Sequence, residues 1–243
     1  MKKMLFAAAL LAVCSSTAFG QASPAASPVA SPAATKRSEV YSVTFIHAAA
    51  GKATALEDWA KKSTTSGPMP GHGLMLRHEA GSPWDYVAVQ HEGPKATVDA
   101  AGNPQGAALR PLMYWHDDTF VSGPPWADFA KAMDLDESGK SKSNDNVYVV
   151  SVYRPVTGQE DALEKFLTEP PTAGDLTAGD VLLQHLEGGA WRFVGITRYK
   201  NYQDYATSEA AAVAQTAKGS STWFRLRELV SFHNDTIAVR VGP

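Results

Sequence analysis

Two histidine–aspartate couples recur along this chain, His116-Asp117-Asp118-Thr119 and His233-Asn234-Asp235-Thr236, with the common pattern His-x-Asp-Thr. Side chains two apart on a β-strand point to one side, about 7 Å apart along the backbone, so each histidine can reach its own aspartate. That pairing is the geometry of a general base held by a carboxylate, or of two ligands to one metal. Two ligands per couple do not close a metal site unless His78 or His185 converges on it, so no bound metal is expected. Each couple can equally satisfy itself at a strand end and hold register. If the couples face the interior, removing His116 or His233 should strand a buried carboxylate.

A second pattern, His-x-x-Gly-x-x-Trp, occurs at His78, Gly81, Trp84 and again at His185, Gly188, Trp191. It places a histidine and an indole together across a hairpin turn. The tryptophans either plug the ends of a core, with the histidines bonded to turn carbonyls, or form an aromatic wall for a flat ligand. His47, His72 and His91 are unmatched in the second copy, where Arg154, Gly179 and Arg198 stand, and Arg192 stands where Asp85 does. Such departures are where a working half would differ from an idle one, although as isolated polar residues they are expected to be solvated surface positions. The chain has no Gly-rich phosphate loop, no Gly-x-Ser-x-Gly elbow and no zinc-type His/Cys spacing. Its single cysteine is Cys14, which excludes nucleophilic cysteine catalysis once a leader is removed.

These repeated residues belong to a repeated sequence. Displaced by 107 positions, residues 40–46 (VYSVTFI) fall on 147–153 (VYVVSVY), Gly51 on Gly158, Leu56-Glu57 on Leu163-Glu164, His78 on His185 and Trp84 on Trp191. Residues 40–93 give 14 identities in 54 ungapped columns, where unrelated segments of average composition would share about 3. Both copies read in one order. Residues 40–47 and 147–154 are β-branched and aromatic runs, hence strands. Residues 53–62 and 160–167 have helical spacing, with Leu56 and Trp59, then Leu163 and Phe166, on one face. Hairpins follow over 74–79 and 84–91, and over 181–186 and 191–199. A helix comes next, interrupted by Gly102-Asn103-Pro104 in the first copy and better formed over 202–217 in the second. Residues 222–229 belong to an insertion, and last strands occupy 113–121 and 230–238. Ser42, Thr44 and Ser151, at alternate strand positions, suggest a polar stripe on a wet lumen face.

Strand, helix, strand, strand, helix, strand is the split βαβ unit. Two such units over residues 40–241 resemble the tandem, fused version of the dimeric α/β-barrel superfamily, which includes antibiotic-biosynthesis-type monooxygenases, chlorite dismutases and dye-decolourising peroxidases. The resemblance implies an α+β fold in which two ferredoxin-like repeats form a pseudo-dimeric barrel within a monomer. It carries no cofactor with it. The haem surroundings of the peroxidase and dismutase branches have no counterpart, and only His47, His72 or His91 could serve as a copy-specific axial ligand. Neither haem nor any other cofactor is expected.

The organisation predicted is a signal peptide over 1–20, a Pro/Ala/Ser-rich linker over 21–37, a first repeat over 38–122, a crossing linker over 123–146 and a second repeat over 147–243. Lys2 and Lys3 open the leader, residues 4–13 form an apolar stretch too short to span a membrane, and Ala18-Phe19-Gly20 suits cleavage before Gln21. Periplasmic or extracellular residence follows. Lipidation at Cys14 is the lesser alternative, because Val13 is bulkier than such sites want before the cysteine. The net charge of −3 has no basic cluster to set against it, so nucleic acid is not an expected partner. The function expected is binding of a small, partly apolar molecule between the two sheets, with His78, Trp84, His185 and Trp191 against it, or a purely structural role. The alternative is a cofactor-independent oxygenase or isomerase with His116 or His233 as base and Asp118 or Asp235 orienting it.

Overall fold

A computed structural model describes residues 37–62, 72–96, 110–187, 190–219 and 222–242. The leader, most of the first linker, the Gly102-Asn103-Pro104 stretch and Gly188 lie outside the described residues. Eight strands alternate with helices: β1 (Glu39–Ala48), α1 (Ala53–Lys61), β2 (Gly73–Ala80), β3 (Tyr86–Gly93), β4 (Met113–Gly123), α2 (Trp126–Ala132), β5 (Val147–Pro155), α3 (Glu160–Leu167), β6 (Gly179–Glu187), β7 (Phe193–Tyr199), α4 (Tyr202–Ala217), α5 (Thr222–Leu229) and β8 (Val230–Gly242). All neighbouring strands described pair antiparallel and close one barrel, in the order β1-β3-β2-β8-β5-β7-β6-β4. No helix of the described residues is long and apolar enough to cross a membrane.

The period-2 patterns decide which side chains enter the barrel. Tyr41, Val43 and Phe45 of β1 and Tyr148, Val150 and Val152 of β5 point inward, where they join Leu74, Leu76, Val87, Val89, Leu183, Val194 and Ile196 in a single buried cluster. An eight-stranded barrel is just wide enough for side chains to fill. Here they do, so the ligand site expected between the sheets is not found there: the interior is packed. The polar stripe is also reversed. Ser42, Thr44 and Ser151 alternate with the inward residues and so face outward, and the lumen is dry.

The outward face of each half is covered by its own helices. Leu56 and Ala60 of α1 pack on Ile46, Met75 and Tyr86. Leu163 of α3 and Leu226 of α5 pack on Phe193 and Val230. Asn201 starts α4 by accepting a hydrogen bond from the Asp204 N–H at 2.8 Å, the usual role of asparagine at a helix N-cap.

Residues 123–146, expected as a crossing linker, do more than cross. Helix α2 and the turn after it insert Trp126, Phe129, Met133 and Leu135 into the barrel cluster from the end where β1 and β5 begin. The repeat-equivalent tyrosines hold this plug at both ends: Tyr41 Oη donates to the Pro124 carbonyl at 2.7 Å and Tyr148 Oη to the Met133 carbonyl at 3.2 Å. Burial raises both phenol pKa values, that of Tyr148 to about 12, so both remain donors.

One helix across a floor built from two similar halves must meet them differently. On the first half, His72 stacks on Trp126 with ring centroids 4.5 Å apart, and His91 Nε2 lies 2.7 Å from the Glu39 carboxylate, which also accepts the Trp126 N–H at 2.7 Å. Burial pushes both histidines toward the neutral form, against the pull of Glu39 on His91. On the second half, Gly179 stands in place of His72, and a Cβ there would collide with the Ala132 carbonyl. Arg198, in place of His91, donates to the carbonyls of Ala132 and Ala178, both at 2.8 Å, and to Asn146 Oδ1 at 3.1 Å. The expectation that these unmatched residues are solvated surface positions is therefore wrong for His91 and Arg198, which are buried because they seat α2.

If α2 is a core element, Phe129→Ala should destabilise the protein by about 3–5 kcal/mol, the range for emptying a buried aromatic site. Chemical denaturation measures this. A loss below about 1 kcal/mol would be the behaviour of a surface linker.

Candidate functional site

The two His–Asp couples form as their spacing requires. His116 Nδ1 lies 2.7 Å from Asp118 and His233 Nε2 lies 2.8 Å from Asp235. Neither faces the interior, since β4 and β8 turn these residues to the helix-covered side. The Asp118 and Asp235 side chains are 54% and 50% exposed. The cost expected from a stranded buried carboxylate therefore does not apply, and the His116 pair, itself 44% exposed, is of the kind worth about 0–1 kcal/mol.

The hairpin residues close the barrel at the end where β1 and β5 finish. Trp84 and Trp191 are buried and pack on Phe45 at centroid distances of 5.5 and 6.3 Å. His78 Nδ1 lies 2.8 Å from the Trp84 carbonyl, a bond that its Nδ1–H tautomer donates. His185 packs on Trp191 at 5.4 Å. These four side chains build a ceiling; they line neither of the two cavities that the described residues enclose most clearly.

The first of these cavities, about 210 Å³, lies on the outer face of the second half, between strands β5, β6 and β7 and the segment that leaves α3. Its floor is set by cross-strand register: Asp180 is opposite Thr197, Leu182 opposite Gly195, and Ser151 opposite Gly195 on the other side. Gly195 leaves that floor bare, and the rings of Tyr153 and Tyr199 stand on either side of it. The roof is residues 167–177. Asp175 Oδ1 accepts the Thr177 N–H at 2.9 Å and hydroxyl at 2.7 Å, and the Ser208 hydroxyl of α4 accepts the Leu176 N–H at 2.7 Å.

Asp180 is the distinctive group. It is enclosed on nearly all sides yet keeps a water-accessible edge on the cavity, and burial pushes its carboxyl up to about 6. The Thr197 hydroxyl, donating at 3.0 Å, opposes that shift and nearby Asp175 adds to it. Burial also raises the pKa of Tyr153 and Tyr199, which keep their protons. No Lys, Arg or His lines the cavity. The wall thus offers hydrogen-bond donors from phenols and a threonine, and one carboxyl poised to take or give a proton near neutrality, the range in which enzymes tune general bases. It presents no histidine to ligate a haem, and no group of three or more His, Cys, Asp or Glu suited to a metal occurs among the described residues.

The predicted couple on this half reaches the cavity indirectly. His233 stacks on Tyr153 at 4.9 Å, and Asp235 accepts a hydrogen bond from the Ser151 hydroxyl at 2.6 Å. Ser151 stands two residues from Tyr153 on the same face. His233 and Asp235 therefore brace the wall from behind, whereas His116 and Asp118 belong to the other half and touch neither cavity. Sequence reasoning missed Asp180, Tyr153, Thr197 and Tyr199. The signal was present in the duplication: Gly73, Ile46, Gln90 and Glu92 occupy these positions in the first copy.

No family model matches this chain, and no curated protein does. Solved structures do resemble it. A protein from Fusobacterium nucleatum, provisionally described as a monooxygenase, aligns over 85% of this chain and 94% of its own length with TM-score 0.58 and 9% identity. A similarly described protein from Lactobacillus acidophilus covers 84% and 94%, with TM-score 0.51 and 12% identity. An anthrone oxidase-like protein covers 87% and 96%, with TM-score 0.53 and 13% identity. At these identities the likeness establishes the fold alone, a closed α+β barrel.

A carboxyl raised from 3.8 to about 6 costs stability in one direction only. Well below pH 3.8 the group is protonated whether folded or unfolded and the cost is absent; it grows as pH rises from about 3.8 to about 6 and then stays constant. Asp180→Asn should therefore melt nearly like wild type at pH 3.5 and be more stable at pH 7, by on the order of 2–3 kcal/mol. Equal stability of the two proteins at pH 7 would show that Asp180 is not desolvated.

Proposed function

We propose that this chain takes a small, neutral, partly apolar molecule into the cavity of its second half and removes a proton from it, with Asp180 as general base. The observation that carries this is the carboxyl with pKa about 6 in a cavity walled by protonated phenols and free of cations. A carboxylate or phosphate ligand would meet acidic groups there and no countercharge. A weak carbon acid or phenol would find a base and donors for the oxyanion left behind. We also infer that the barrel is two ferredoxin-like repeats fused into a pseudo-dimer. The sequence duplication and the strand order, β4-β1-β3-β2 followed by β8-β5-β7-β6, support that reading. In it only the second copy carries Asp180 and Tyr153, so one half works. The leader over residues 1–20 would send the protein to the periplasm.

The likeness to an anthrone oxidase-like protein suggests the reaction class, oxidation of an anthrone-like carbon acid by O2. Anthrone loses a proton from its ring methylene to give an anthrolate, which reacts with O2; anthrone plus O2 gives anthraquinone plus water. Asp180 would take the proton and the Tyr153 or Tyr199 hydroxyl would meet the oxygen that gains charge.

Oxygen uptake with anthrone tests this. Wild type should turn over, and Asp180→Asn should lose about 10²–10⁴-fold in rate, the usual worth of a general base. Gly195→Ala should weaken binding severalfold without lowering Tm, because a Cβ at 195 meets Tyr153 at an ordinary 3.6 Å. Saturable binding of anthrone without oxygen uptake would leave the same cavity as that of a binding protein, the reading without catalysis. No binding to wild type would remove anthrone-like carbon acids as ligands.

A further inference from the structure

A second cavity, of about 420 Å³, opens beside the barrel floor between the end of α1, the loop after α2 and the end of β8. Lys61, Lys140 and Arg240 line it together with Ser141, Ser143 and Asn144, and no Asp or Glu does. Three cations around one cavity in a chain of net charge −3 is a concentration that needs a cause.

The state of Arg240 supplies it. Its Nη2 donates to the Gly139 carbonyl at 2.7 Å, but its Nε is enclosed and has no partner among the described residues. Burial weakens its hold on the proton, and among the described residues no carboxylate forms an ion pair with it. A half-buried guanidinium whose Nε is enclosed and without an ion-pair partner is costly, and the structure tolerates it here beside a cavity large enough for a ligand. Asp136 acts on Arg240 only through space, because its hydrogen bonds are made elsewhere. Its Oδ1 accepts the Ser138 N–H at 2.9 Å, the Ser138 hydroxyl at 2.7 Å and the Lys140 N–H at 2.9 Å. The Lys140 ammonium makes no hydrogen bond or ion pair among the described residues and feels Asp136 only through space. Lys61 keeps only a loose contact with Glu57, at 3.7 Å. Asn146 is spent between Asp134 and Arg198.

We propose that this cavity is a binding site for a small oxyanion, a phosphate or carboxylate group, held by Arg240 from the barrel side and by Lys140 and Lys61 from the rim. The planar guanidinium suits two oxygens of one anion, and the lysines add charge without fixed geometry. The site is separate from the cavity of Asp180 and does not depend on the function proposed for it.

Calorimetric titration with inorganic phosphate, and separately with citrate, against chloride at equal ionic strength tests the proposal. Wild type should bind at least one of the two saturably, one per chain, with a raised Tm. Binding of phosphate alone or of citrate alone would say which oxyanion the site prefers. Arg240→Gln and Lys140→Ala should each weaken binding tenfold or more, while Asp180→Asn should leave it unchanged. Lys140 is exposed, so Lys140→Ala should melt as wild type does in chloride, and it decides the matter if Arg240→Gln does not fold. Phosphate and citrate behaving as chloride does, or unchanged affinity in Lys140→Ala, would overturn the assignment.

Discussion

A barrel of eight strands has room inside for side chains and little else, and in this protein Tyr41, Phe45, Tyr148, Leu183 and their neighbours occupy that room completely enough to form one cluster. Because the strands leave both ends open, the cluster has to be finished by something that is not a strand. Trp84 and Trp191 close one end from the hairpins, and α2 closes the other. The packed interior then dictates where a ligand can go. Any pocket must lie outside the barrel, under helices or at the rim, and both cavities do.

The ends are closed by different means, with different consequences for symmetry. Two tryptophans at one end can be equivalent, one from each copy of the sequence. A single helix at the other cannot. The floor therefore broke the equivalence of the halves: a histidine stack and a Glu39–His91 pair receive the Trp126 side of α2, and a bare Gly179 with Arg198 receives its carbonyl end. Gly179 immediately precedes Asp180, so the close approach of strand β6 to α2 also positions the carboxyl that distinguishes the first cavity.

Much of this architecture was legible in the sequence, because duplication supplies two noisy readings of each element. Strand and helix positions, the pairing of His116 with Asp118 and of His233 with Asp235, and the plug role open to the tryptophans all followed from spacing. What period-2 spacing cannot say is which face is inside. Ser42, Thr44 and Ser151 were assigned to the lumen because they are polar and a ligand was expected there, although the alternate set, with Tyr41, Val43, Tyr148 and Val150, is the more apolar. Helix α2 was invisible for another reason: at 7 residues, flanked by Pro125 and a turn, it has too few periods to show a pattern. Asp180 was missed although departures between the copies were weighed: a lone aspartate standing where Gly73 does in a strand carries no spacing signal to set it apart from His47, His72 or His91.

The charge distribution ties the two cavities to the same floor. The cavity of Asp180 has acids and no cation; that of Arg240 has cations and no acid. Between them runs a short polar chain: Asn146, on the wall of the second, accepts from Arg198, and Arg198 donates to the Ala178 carbonyl, two residues from Asp180. Arg198 is buried with no carboxylate partner among the described residues, its charge spread over two backbone carbonyls and an amide. What holds the Asp180 carboxyl at about 6 against burial and the nearby Asp175 charge is hydrogen bonding, from the Thr197 hydroxyl and the Val181 N–H. Were a lysine or arginine to line that cavity, the carboxyl would sit in its ordinary range and lose its use as a base near neutrality. The absence of cations from one cavity and their gathering in the other are in this sense two sides of a single constraint, the need to keep opposite charges apart so that each remains available to a ligand.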